Sequence, residues 1–105
     1  MNRINHFIKF INAINERPGM YGVNRVEEMG LVILGYKYAI FEKEENELLT
    51  QFMVGFREFV NHRYEHKDNF DWVKLIRLYS GSDSHTREMF ADLFNQFIES
   101  KGYKD

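Results

Sequence analysis

Apolar residues recur at helical spacing along almost the whole chain. Over residues 2–17, Ile4, Phe7, Ile8, Ile11 and Ile14 lie three or four apart, with Asn5, Lys9, Asn12 and Asn15 opposite. This period of 3.6 predicts an amphipathic helix. Pro18-Gly19 ends it, because the residue before a proline is pushed out of the helical region. A second helix is expected over 25–45, with Asn24 as its N-cap and Glu27 and Glu28 in its first turn, where the helix dipole favours acids. Between Met29 and Phe41 it is apolar nearly all round, which predicts a central helix enclosed by the others. Gly30 and Gly35 lower its helix propensity but allow a neighbouring helix to approach closely.

A third helix, over 46–66, carries Leu49, Phe52, Met53, Phe56, Phe59, Val60 and Tyr64 on one face. A short fourth, over 71–79, has Asp71 as its cap and Trp72, Val73, Ile76 and Tyr79 as its apolar positions. The cap-forming residues Ser80-Gly81-Ser82-Asp83-Ser84 make a loop. A fifth helix then runs over 85–101 with Met89, Phe90, Leu93, Phe94, Phe97 and Ile98 as an unbroken stripe. Gly102 stands where a C-terminal glycine usually stops a helix. The expected fold is all-α, one domain spanning residues 1–105, a bundle of about five helices around a central apolar helix.

Composition supports a packed core. In 105 residues there are 10 Phe, 6 Tyr and 1 Trp, and rings bury about 150–250 Å² each. One Pro and seven Gly leave no sign of disorder. With no cysteine, a disulfide scaffold, a thiolate zinc site and a cysteine nucleophile are all excluded. No apolar run reaches the roughly 20 residues that span a bilayer, and the first residues lack a signal-peptide h-region, so a cytoplasmic protein without membrane attachment is expected. A net charge of −2 argues against direct nucleic-acid binding, which needs a concentrated basic surface.

Candidate chemistry is sparse. His62-Arg63-Tyr64-Glu65-His66 reads H-x-x-E-H, the inverzincin pattern in which two imidazoles of one helix face bind zinc and a carboxylate acts as base. A metal-dependent hydrolase using His62, Glu65 and His66 is therefore an alternative function. Against it, these positions fall beside the Phe52/Phe56/Phe59 stripe, at a solvated helix end. A catalytic zinc also needs a third protein ligand and a shaped cleft. His6 and His85 have no partners in sequence, and the Ser80–His85 stretch fits capping better than a catalytic triad. Gly19-Met20-Tyr21-Gly22 lacks the lysine and spacing of a phosphate loop. No catalytic, cofactor-binding or metal residue is assigned, and no cofactor is expected.

The run from Glu42 to Glu47 holds four carboxylates in six positions, Glu42, Glu44, Glu45 and Glu47. As a solvated helix end it needs no function. As an anionic patch it suits a basic partner, since charge complementarity speeds association and rejects wrong partners. Asp68 and Asp71 are candidate additions to that patch.

The most distinctive string is Arg17-Pro18-Gly19-Met20-Tyr21-Gly22. R-P-G-M-Y also occurs in the ATP-binding domain of type II topoisomerases, but the glycine motifs and metal-binding asparagine of that domain have no counterpart here. The wider layout adds an apolar helix with Gly35-Tyr36, then Phe56-Arg57-Glu58-Phe59-Val60, Asp71-Trp72-Val73-Lys74-Leu75-Ile76, and a final helix from Met89-Phe90 to Phe97-Ile98. It resembles the small bacterial immunity proteins of polymorphic toxin and contact-dependent growth inhibition systems, over most of the chain. The resemblance implies tight binding to a cognate toxin domain, often a nuclease, that blocks the toxin's active site. Such proteins diverge with their toxins, so it assigns no contact residue by position. A helical interaction module with another partner is the remaining alternative.

Overall fold

The computed structural model describes residues 2–67 and 69–103. They form five α-helices: α1 (Arg3–Glu16), α2 (Val26–Tyr38), α3 (Lys43–Arg63), α4 (Trp72–Leu78) and α5 (Asp83–Lys101). A 3₁₀ turn, Pro18–Tyr21, follows α1, and no strand occurs among the described residues. The chain is thus an all-α bundle with a single core. No described helix is long and apolar enough to cross a membrane.

Most of the local signals act as the residue pattern predicts. Ile4, Phe7, Ile8, Ile11 and Ile14 make the buried face of α1, and Asn2 caps it by accepting from the Asn5 N–H. The Arg17-Pro18-Gly19-Met20-Tyr21 string is the 3₁₀ turn, closed by Gly22 at φ 72°, a left-handed position that suits glycine. Met20 and Tyr21 point outward, while Val23 returns to the core and its N–H bonds the Pro18 carbonyl. Asp71 accepts from the Val73 N–H to cap α4. Ser82 caps α5, which begins at Asp83, two residues earlier than expected, and Gly102 at φ 74° stops it. The Gly81 N–H donates to His85 Nδ1, so His85 belongs to the same cap.

The core is aromatic. Phe56 of α3 lies at its hub, with ring centroids 5.2 Å from Trp72, 5.7 Å from Phe90 and Phe94, and 5.6 Å from Phe97, all edge-on. Phe7 of α1 meets Phe52 edge-on at 5.7 Å and Phe94 at 6.4 Å. Edge-to-face rings bring a positive rim to a negative face, which adds to the gain from burial. Helices α3 and α5 each pack on the other four, so this pair is the centre of the bundle.

Four expectations need correction. The helix expected over 25–45 is two helices. α2 stops at Tyr38 because Asn46 reaches back and donates from Nδ2 to the carbonyls of Lys37 and Ile40, groups a helix end leaves without partners. Glu42 then starts α3, its carboxylate accepting from the N–H groups of Glu44 and Glu45. The acidic run therefore sits at a helix N-terminus, where the dipole favours it, rather than at a C-terminus, where it would not.

Nor is α2 central. Only Val26, Met29 and Ile33 are buried, and Leu31, Leu34 and Tyr38 face outward. Five helices in so short a chain leave none to cover that side. Its N-terminus is also built differently from expectation. Arg25, not Asn24, holds the cap position and makes no side-chain cap bond. The Val26 N–H is instead accepted by Thr86 Oγ1 of α5 at 3.1 Å, and Glu28 Oε1 accepts from the Asn24 N–H.

The third helix ends at Arg63 rather than 66. Buried Asn61 explains the stop. Its Nδ2 donates to the Arg57 and Phe70 carbonyls and its Oδ1 accepts from the Phe70 N–H, which folds the following chain back against α3. Glu65 takes a left-handed conformation, φ 58°, at the turn.

Candidate functional site

The turn at Glu65 removes the geometry on which a zinc helix depends. His62 is in α3, whereas Glu65 and His66 follow its end, so the three do not share a helix face. His66 is engaged elsewhere: Nε2 lies 2.9 Å from the Tyr79 hydroxyl, and the ring meets Phe70 edge-on at 5.1 Å. Tyr79 in turn stacks on Tyr64 at 4.5 Å, and burial pushes the Tyr64 hydroxyl above its usual pKa. Among the described residues, no group of three or more His, Asp or Glu is placed to hold a metal ion.

The acidic run is divided between structural and open roles. Glu42 is the α3 cap, and Glu45 accepts from Arg3 of α1 at 3.2 Å. Arg3 also donates to the Tyr36 hydroxyl at 3.4 Å, so these contacts tie α1 to α2 and α3. Glu44 and Glu47 are exposed and make no ion pair among the described residues. Asp71 is exposed but its carboxylate serves as a cap. It stands at the N-terminus of α4, a different helix from the one that carries Glu44 and Glu47. Asp68 lies outside the described residues.

The most site-like feature is one that residue patterning missed. Between α2 and α4 runs an apolar groove of about 910 Å³, walled by Leu31 and Leu34 on one side and by Trp72, Val73 and Leu78 on the other. At Gly30, which also lines it, the α4 side chain Val73 crosses so closely that a Cβ would stand 2.9 Å from Val73 Cγ2. Leu31 and Leu78 are each 68% exposed, and Leu34 is 47% exposed. Large apolar side chains this open, on two facing helices, form the kind of surface that marks a binding site. A second recess of about 450 Å³ adjoins the groove and shares Lys37, Met53, Asp71 and Trp72 with it.

The two ends of the groove differ in charge. At one end Arg77 donates to both carboxylate oxygens of Glu27, at 2.8 and 2.7 Å, and to Asp83 at 2.8 Å. The Arg77 bonds hold the Glu27 carboxyl at about 2, well below its ordinary 4.5. At the other end of α2 Lys37 lines the groove, Arg57 lines the adjoining recess, and Lys74, one turn before Arg77 on α4, is a further lining cation. None of these three joins an ion pair among the described residues.

The signal for this site was present in the chain as the all-round apolar character of residues 29–41. A helix with four apolar sides needs neighbours on all of them, and the remaining segments are too few. In comparisons with family models, curated proteins and solved structures, nothing matches this chain.

Proposed function

We propose that this chain is a cytosolic immunity protein that works by binding, not catalysis. It covers a cognate bacterial toxin domain, expected to be a nuclease, and so blocks the toxin's active site. The observation that supports this reading most directly is the open α2–α4 groove, whose exposed Leu31, Leu34 and Leu78 give a protein partner an apolar centre. Protein interfaces bury such a centre inside a polar rim. The immunity-protein layout of the sequence supplies the class of partner. Glu44 and Glu47, exposed on the first turns of α3, supply negative charge suited to a partner that handles nucleic acid.

Co-expression with a toxic C-terminal domain encoded immediately upstream tests the proposal. Restored growth is the expected result, and unrelieved toxicity overturns it. Charge reversal of Glu44 and Glu47 to Lys should slow association with that domain, the more so at low salt. Association rates that stay unchanged at every ionic strength would remove the acidic turn from the interface.

A further inference from the structure

We propose that the α2–α4 groove receives an acidic amphipathic helix of a partner protein, with its apolar stripe in the groove and its carboxylates at the Lys37 end. The inference rests on reading the chain as a protein-binding domain. Leu31, Leu34 and Tyr38 follow one another at intervals of three and four along the outer side of α2. On α4, Lys74 and Leu78 stand four apart. Rows with this spacing are the ridges between which another helix packs, and laying an apolar helix face into such a groove is a recurrent mode of recognition. A sixth helix here completes the cover that α2 lacks.

Charge selects the kind of helix. The chain as a whole carries −2. Yet among the described residues the groove and its adjoining recess are lined by four cations, Lys37, Arg57, Lys74 and Arg77, against two carboxylates, Glu27 and Asp71. Arg77 is satisfied by Glu27 and Asp83, so the surplus lies with Lys74 and, at the far end, with Lys37 and Arg57. Arg57 Nε there is buried and has no hydrogen-bond partner among the described residues. The one lining carboxylate at that end, Asp71, already accepts from the Val73 N–H. A carboxylate on the incoming helix meets unpaired cations, whereas a lysine at the same place is repelled.

A phage-displayed library of helical peptides, randomised on one face and panned against the purified chain, tests this. The selected peptides should carry apolar residues at i, i+3 or i+4, and i+7, with Asp or Glu concentrated at one end. Binding of the strongest should fall about a hundredfold in Leu31→Asp and about tenfold in Lys37→Glu, and panning on Lys37→Glu should favour basic peptides. Both substitutions are on the outer side of α2, so circular dichroism and melting temperature should match the wild type.

Selection without an acidic bias, binding indifferent to Leu31→Asp, or failure to enrich any helix overturns the inference. So does sedimentation showing a wild-type dimer that Leu31→Asp dissociates, because a second copy then fills the groove. Growth rescue separates this inference from the proposed function. Rescue by wild type and equally by Leu31→Asp removes the groove and keeps the immunity role. Peptide selection as described, with no rescue by wild type, does the reverse.

Discussion

Thr86 Oγ1, wholly buried on α5, accepts the N–H of Val26 at 3.1 Å and donates to the Asp83 carbonyl at 2.6 Å. One hydroxyl thus serves the first turns of two helices that are 60 residues apart. Helix α2 has no side-chain cap of its own, so its N-terminus depends on α5 being in place. Thr86→Val keeps the shape and leaves the Val26 N–H buried without an acceptor, at a cost of about 1–3 kcal/mol. Thr86→Ser keeps the hydroxyl and loses a methyl, about 1 kcal/mol. Urea unfolding should place valine below serine, and amide exchange at Val26 should quicken in the valine variant alone.

The Glu27–Arg77 pair makes stability depend on acid pH. Arg77 lowers the Glu27 carboxyl from 4.5 to about 2 on folding, so the folded state holds its charge more strongly than the unfolded state does. The resulting stabilisation is complete above about pH 4.5 and is lost as pH falls toward 2. Both side chains are more than a third exposed, at 39% for Glu27 and 35% for Arg77. Solvent screening therefore limits the gain to about 1 kcal/mol. Glu27→Gln should be less stable than wild type by that amount at pH 7, with the two unfolding curves converging near pH 2.

The two glycines of α2 should answer oppositely to alanine. Nothing lies within 4 Å of a Cβ at Gly35, so Gly35→Ala gains helix propensity, about 0.5–1 kcal/mol, and raises the melting temperature. At Gly30 the new Cβ meets Val73 Cγ2 at 2.9 Å. Overpacking there should outweigh the propensity gain and cost about 1 kcal/mol net. Val73→Ala removes the opposing methyls, so the double variant Gly30→Ala/Val73→Ala should be more stable than the sum of the single effects, a coupling readable in a double-mutant cycle.

Asn61 should be among the most sensitive polar positions. It is 4% exposed, and its side chain bonds both the N–H and the carbonyl of Phe70 while Nδ2 also donates to the Arg57 carbonyl. Asn61→Ala takes these partners from the Phe70 N–H and carbonyl, at about 2–4 kcal/mol by chemical denaturation. Faster amide exchange at Phe70, before any change within α5, would show that the substitution releases the turn between α3 and α4 first.

Much of the helical layout was legible because its causes are local. The stripes of α1 and α5, the Pro18 break, the Asp71 cap and the Gly102 stop each depend on residues within a turn or two. Apart from the start of α5, set by its own Ser82 cap, the boundaries that went astray involve a side chain acting from farther away. Asn46 closes α2 and opens the way for α3, Asn61 ends α3 through Phe70, and Thr86 supplies the cap that Asn24 was expected to give. The His62-x-x-Glu65-His66 spacing looked helical until the Asn61 clasp bent the chain inside it.

The groove marks the same division most clearly. Residues 29–41 are apolar on every side, and that much is fixed by the order of the amino acids. Which side is covered depends on how many helices are available to pack against it, and that is a property of the whole bundle. Helices α3, α4 and α5 cover Val26, Met29 and Ile33, and no element of the described chain covers Leu31, Leu34 or Tyr38. The sequence by itself determined that α2 would be a helix rich in apolar surface. Tertiary structure alone decided that the Leu31, Leu34 and Tyr38 side of this surface would stay open, because burial is set by the neighbours that surround a residue and not by the residue itself.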